Sequence, residues 1–307
     1  MKVGGSLENT MRSILKMSPE RFTELLKNSE NDKLLIGIGC SFTQGQGALK
    51  DEVWEKHNWN IPNTHTKFEL EELELEGSWV TQICKNYMPD WTPINLGERG
   101  GGNRAAAKYL TSVFPELNLD DPNKEKIVVF MLTGPERYTI MTPLWVKRFH
   151  GIFESIWPNP RSDQKMWRAY AEEMYSPKQT MFETYLNIKE VENWCKSNNA
   201  KLILVSAFDF SYFRHYTHKE IKDTIDLDWV PDVWYPNNHP SVFHLLLDKD
   251  GFDYSIADGG YWEELNYTDK YPKGTEHVSR CCHPNYKGHQ VIATEMYNEL
   301  VSRRFFD

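Results

Sequence analysis

The chain has 307 residues, of which 40% are hydrophobic and 26% charged, and a net charge of −9. That balance suits a soluble globular protein long enough to bury a sizeable core. An acidic chain with no Lys/Arg run of five argues against a nucleic-acid or anionic-membrane binder, and no apolar stretch reaches the roughly 18 residues of a membrane span.

Five cysteines (Cys40, Cys84, Cys195, Cys281, Cys282) are an odd count with two adjacent, poor material for a disulfide framework. The first eight residues, Met1 to Glu8, lack the apolar stretch of a signal peptide. The expected location is therefore the cytoplasm, or a particle assembled there.

Residues 1–32 read as a helical extension, with Met11, Ile14 and Leu15 in one cluster and a second helix starting at Ser18-Pro19-Glu20. Lys33 to Gly39 is a continuous apolar run, as expected of a strand buried on both faces. The acidic stretch Glu69–Glu76 reads as a solvated face. Residues 78–88 predict a helix with Trp79, Ile83 and Tyr87 on one side. A short strand at Pro93–Leu96 leads into the glycine-rich loop Gly97–Asn103, and Arg104–Val113 should be helix. Ile127–Leu132 predicts another buried strand, ending in Thr133-Gly134-Pro135-Glu136-Arg137.

Further on, 180–199 predicts a helix, Lys201–Ser206 a strand, and 284–303 a closing helix with Ile292, Met296 and Leu300 inward. Strands alternating with helices mean a parallel sheet of about five strands covered on both faces, an α/β fold. Residues 33–307 are expected to form one such domain, with insertions at about 138–179 and 207–279. Both insertions are rich in tryptophan, tyrosine and phenylalanine, so they are expected to pack over the top of the sheet.

In open parallel sheets the working site lies beyond the carboxyl ends of the strands, where Ser41 falls. Taken alone, Ser41 reads as the cap of a following helix, and Gly37-Ile38-Gly39 has two of the three glycines of a dinucleotide loop. Near the other end stands Cys282-His283-Pro284-Asn285-Tyr286-Lys287-Gly288-His289. Ser41 and His283 together make a nucleophile–base pair. His277, Cys281, Cys282, His283 and His289 crowd together, but adjacent cysteines are a poor metal-binding spacing and His289 reads as a structural histidine, so no metal is expected.

Gly39-Cys40-Ser41-Phe42-Thr43, then Asn95-Leu96-Gly97 with Gly100 beyond it, then His283-Pro284 with Gly288-His289, stand in an order that resembles the SGNH (GDSL-like) hydrolase superfamily. The resemblance implies a three-layer α/β/α flavodoxin-like sheet and a serine esterase that needs no cofactor. By it, Ser41 attacks, His283 is the base, and the amides of Ser41 and Gly100 hold the oxyanion.

The family's oxyanion asparagine is absent from 133–137, which leaves Arg137 or Asn103 as substitutes; the alternative for Arg137 is a salt bridge to Glu136 or Glu98. The family's aspartate, two or three residues before the histidine, is replaced by Arg280 and Cys281, and losing that acid costs a serine triad about four orders of magnitude. Glu276, Asp258 and Asp209 are the candidate replacements. The implied partner is a small ester or an acylated carbohydrate. The alternative reading is a non-catalytic carbohydrate-binding or structural assembly protein on the same fold.

Overall fold

The structure, a computed structural model, describes residues 19–56, 68–135, 137–141, 153–156, 165–208, 232–251, 275–279 and 283–306. Helices α1 (Pro19–Ser29), α2 (Ser41–Gln44), α3 (Asp51–Lys56), α4 (Phe68–Gly77), α5 (Trp79–Asn86) and α6 (Asn103–Lys108) are followed by α7 (Lys165–Ala169), α8 (Pro177–Ser197), α9 (Val242–Lys249) and α10 (Tyr286–Ser302). The strands are β1 (Lys33–Gly39), β2 (Thr92–Asn95), β3 (Glu125–Leu132), β4 (Tyr138–Met141), β5 (Phe153–Ile156), β6 (Ala200–Ser206) and β7 (Val233–Trp234). The segment holding Met11, Ile14 and Leu15 lies outside the described residues.

Five strands form one parallel sheet in the order β2-β1-β3-β6-β7, the flavodoxin-like arrangement with a switch point between β1 and β3. Successive residues of a strand point to opposite faces, so the unbroken apolar strands feed two cores. Leu35, Ile127, Val129, Ile203 and Val205 face Trp79, Ile83, Phe243, Ile292, Met296 and Leu300. Leu34, Ile36, Ile38, Val128 and Phe130 face Phe22, Leu25, Ala105, Ile188 and Val191. The result is three layers, with α5, α9 and α10 on one side of the sheet and α1, α6 and α8 on the other.

The expected helix over 104–113 stays α-helical only to Lys108 and continues as a π turn over Tyr109–Val113. Tyr87 does not join Trp79 and Ile83 in the core; it is exposed and stacks on Tyr297, ring centroids 4.8 Å apart. The described part of the segment 207–279 belongs to the sheet layers themselves. It supplies the fifth strand, β7, and the core helix α9, whose Phe243 amide donates to Ala207 O at 3.1 Å. In the other aromatic segment, β4 and β5 form a separate antiparallel pair, and Tyr138 stacks on the buried Tyr170 at 5.4 Å.

The acidic stretch departs most from expectation. Glu71 and Glu74 are only 4% and 1% exposed, because both carboxylates meet arginines brought in from elsewhere. Arg21 on α1 donates to Glu71 Oε1 at 2.7 Å and, through its other terminal nitrogen, to the carbonyls of Asn95 and Gly97 at 3.0 Å each. The first helix is thereby pinned to the loop after β2.

A buried pair costs most when only one partner is removed. Arg21→Met is expected to lower stability by about 3–5 kcal/mol in urea denaturation. Lys33→Met, which breaks the half-exposed pair with Glu125, should change it by less than about 1 kcal/mol.

Candidate active site

The loops at the carboxyl ends of β1, β2 and β3 converge with the segment before α10. β1 ends at Gly39, and Ser41 opens the short helix α2. A side chain at Gly37 would come within 2.5 Å of Val80 Cγ2, and one at Gly39, where φ is +153°, would collide with Thr43 Oγ1 and the carbonyl of Met131. Only glycine lets the strand turn this tightly into α2. The first amides of a helix have no acceptor within it, and Ser41 is the first residue of α2.

Asn95 joins the first two loops. Its buried amide donates to Thr43 O at 2.8 Å and Ser78 Oγ at 3.2 Å, while its Oδ1 accepts from the Gly97 amide at 3.0 Å. The pairing of β1 with β2 continues past the sheet edge, with Leu96 N–H donating to Gly37 O at 2.8 Å and Glu98 N–H to Gly39 O at 3.1 Å. Gly100 follows with φ +68°.

His283 arrives from the far end of the chain. Its carbonyl accepts from the Ser279 amide and the Ser279 hydroxyl, each at 2.8 Å, and Val278 and Pro284 form an antiparallel bridge. Asn285 then caps α10, its Oδ1 accepting from the Gly288 amide at 2.9 Å. The imidazole packs on Phe42, centroids 5.6 Å apart, and Phe42 in turn packs on Phe208. In this setting His283 Nε2 lies 2.9 Å from Ser41 Oγ, across 242 residues of sequence. Ser41 is buried and His283 partly so.

The other expected site residues divide. Asn103 is buried, but its amide donates to Thr133 O at 3.0 Å and Thr184 Oγ1 at 3.4 Å, and its Oδ1 accepts from the Thr133 amide at 2.8 Å. Both amide hydrogens have acceptors, so Asn103 ties α6 to the end of β3 and is not free to meet an oxyanion. Arg137 lies beside the glycine loop, donating to Gly101 O at 3.2 Å with its guanidinium 5.4 Å from the Phe208 ring. Glu276 is a surface residue, 63% exposed at its side chain and paired with Lys287 at 3.4 Å, an arrangement unlike that of a buried acid behind an imidazole. Asp209, Asp258, Arg280, Cys281 and Cys282 lie outside the described residues.

Among the described residues, Asp250, Glu276 and His277 are a group whose ligand-type atoms lie within 4.8 Å of one another. Asp250 already accepts from Thr275 Oγ1 and faces His277 Nδ1 at 2.6 Å, and Glu276 is turned to Lys287, so existing partners account for the cluster. No helix among the described residues is long and apolar enough to cross a membrane.

Two further groups near the pair are buried: His289, which the sequence reads as a structural histidine, and Glu74, which the sequence reading placed on a solvated face. His289 is fully buried, and its Nδ1 accepts from the Trp79 amide at 3.2 Å, so the neutral ring carries its proton on Nε2. Burial, reinforced by nearby His283, pushes it down to about 3. Glu74 is the other: burial raises its carboxyl above the usual range, while Arg99, the Gly47 amide and His283 pull it back. Glutamates three residues apart on a helix stand on one face, a signal that charge composition alone hides.

No family model matches the chain, and no curated protein matches it by sequence. Among solved structures, it is similar to a family two carbohydrate esterase from Clostridium thermocellum in complex with cellohexaose, at 12% identity and a TM-score of 0.43, covering 89% of this chain and 65% of that one. It is also similar to a protein of the G-D-S-L family from Desulfitobacterium hafniense DCB-2, at 14% identity and a TM-score of 0.36, covering 87% and 98%. A third neighbour is an alpha/beta hydrolase enzyme from the metagenome of Lake Arreo, Spain, at 13% identity and a TM-score of 0.35, covering 90% and 97%. The chain thus spans just under two thirds of the first of these proteins.

The buried His289 gives a pH signature. Its folded value lies below the ordinary 6.5, so the unfolded chain binds more protons as pH falls, and stability is lost below neutrality. Between about pH 6.5 and about pH 4.5 the loss should be about 2–3 kcal/mol. In His289→Gln, whose side-chain oxygen still accepts from Trp79, urea titrations across that range should lose this part of the pH dependence.

Proposed function

We propose that the chain is a serine ester hydrolase of the SGNH type. One observation carries the reading: a serine hydroxyl and an imidazole nitrogen 2.9 Å apart, over the carboxyl edge of a parallel sheet. His283 Nε2 takes the Ser41 proton as Oγ attacks the ester carbonyl, then returns it to the leaving alcohol. A water activated by the same imidazole releases the acid from the acyl-serine. The amides of Ser41 and Gly100 hold the negative oxygen, and Arg137 adds positive charge at the same rim. No step calls for a cofactor.

The substrate class is a small ester or acylated carbohydrate. A carbohydrate-binding or structural role without turnover is the second reading. It is favoured by the engagement of Asn103 in the fold and by the absence of a carboxylate at 280 and 281.

Hydrolysis of a short-chain aryl acetate separates the two. The intact protein should turn the ester over and be labelled at Ser41 by a fluorophosphonate. Ser41→Ala and His283→Ala should each lose at least about three orders of magnitude in turnover. Equal rates in protein and variants, with no labelling of folded protein, would leave only binding or structure.

A further inference from the structure

His283 stands on one arm of a short hairpin, residues 275–279 against 283–285. Among the described residues, the arms are joined by the bridge between Val278 and Pro284, by the Ser279 amide donating to His283 O at 2.8 Å, and by the Asn285 amide donating to His277 O at 3.0 Å. The Asn285 side chain adds a bond to Glu276 O at 2.9 Å. Two strands this short are marginal on their own in water. The place of the imidazole is therefore set by whatever holds the hairpin.

The second arm runs directly into α10. The first arm is held by Asp250, the residue after α9, and α9 is fixed in the core by Val242, Phe243, Leu246 and Leu247. The Asp250 side chain is 3% exposed. Its Oδ2 accepts from Thr275 Oγ1 and from the His277 amide at 3.3 Å, and its Oδ1 lies 2.6 Å from His277 Nδ1. The Thr275 hydroxyl in turn accepts from the Val278 amide at 3.0 Å, and the Thr275 amide donates to Val278 O at 2.7 Å. Alternate residues of an extended arm face the same way, so one carboxylate rooted at the end of a core helix grips Thr275 and His277 together.

We propose that Asp250 is a positioning residue for His283: it anchors the first arm of the hairpin to α9 and so holds the imidazole within hydrogen-bonding reach of Ser41. Its consequence for turnover rests on the ester-hydrolase reading, but the anchoring does not. The route is continuous. Asp250 holds His277, His277 O holds the Asn285 amide two residues past His283, and His283 Nε2 meets Ser41 Oγ at 2.9 Å. Gly47 closes the other side, since a Cβ there would lie 3.2 Å from His283 Cβ and 3.1 Å from Ser279 Oγ. The hairpin has little room toward Gly47, and slack at Asp250 lets it move the other way. A misplacement of about 1 Å in a reacting pair costs about 100-fold in rate.

Asp250→Ala removes the grip. It should lower kcat for an aryl acetate at least about tenfold and leave KM within about twofold, because the loss falls on the geometry of the reacting pair and not on substrate binding. Asp250→Asn keeps an acceptor for the Thr275 hydroxyl and the His277 amide, and its side-chain N–H can donate to His277 Nδ1, so it should recover most of the rate. A folded Asp250→Ala with unchanged kcat would leave a merely structural role and overturn the proposal. Asp250→Asn as slow as Asp250→Ala would show that charge and not the hydrogen-bonded grip is at work, and would overturn it too.

A crystal structure of Asp250→Ala reads the anchoring without turnover. The separation of Ser41 Oγ from His283 Nε2, 2.9 Å in the intact protein, should open beyond about 3.5 Å, and an unchanged separation would overturn the proposal. If the separation opens and the intact protein hydrolyses no ester, the hydrolase reading falls and the anchoring stands. Should Asp250→Ala fail to fold, Thr275→Val, which replaces the hydroxyl by a methyl, is compared with Thr275→Ser, which keeps it. Thr275→Val should open the separation and lower kcat about fivefold or more while Thr275→Ser does neither. The same separation in both variants would overturn the proposal.

Discussion

The burial of two carboxylates on one helix constrains everything around the site. A charge taken out of water must be met by an opposite charge and by hydrogen bonds, or it does not stay charged and the fold loses stability. Glu71 and Glu74 are met by Arg21 from α1, by Gln44 after the serine, by the Gly47 amide and by Arg99 beside the glycine loop. Those partners belong to three segments that the sheet alone would leave free to drift. The loops after β1 and β2 are thus held to α4 by electrostatics as well as to each other by the Asn95 amide.

On that base the Ser41–His283 contact is an outcome of packing. One wall is aromatic, with Phe42 between the imidazole and Phe208. The floor is α10, where His289 reaches under α5 to the Trp79 amide. A buried histidine held neutral does not compete with His283 for charge, and the order of the two in sequence, six residues apart, puts one in the loop and one inside the helix. Arg137 reaches across from the segment after β3 and donates to Gly101 O at 3.2 Å in the glycine loop.

The sheet was readable because its strands are unbroken apolar runs, and Leu34, Ile36 and Val128 are buried as such runs require. The nearness of Ser41 and His283, 2.9 Å apart, was readable because glycines and a terminal Gly-His mark close approaches that leave few choices of residue. β7 was not, since two residues carry no periodicity. Asn103 looked like a spare donor because a sequence does not record which hydrogen bonds an amide has already made. Glu74 was taken for a solvated charge because its partners, Gly47 and Arg99, lie 27 and 25 residues away. Burial of charge is a property of pairs, and the second member of each pair was not adjacent.

Ser41 and His283 ride on the first strand's loop and on the segment before α10, joined by a contact that closes 242 residues. Contacts of such high order form late, after local helices and neighbouring strands have already paid the entropy of bringing the chain together. A half-formed sheet, however native its strands, has a serine with no imidazole. The meeting of serine and imidazole therefore depends on α10 staying seated against the sheet, since the histidine lies on the segment that leads into that helix.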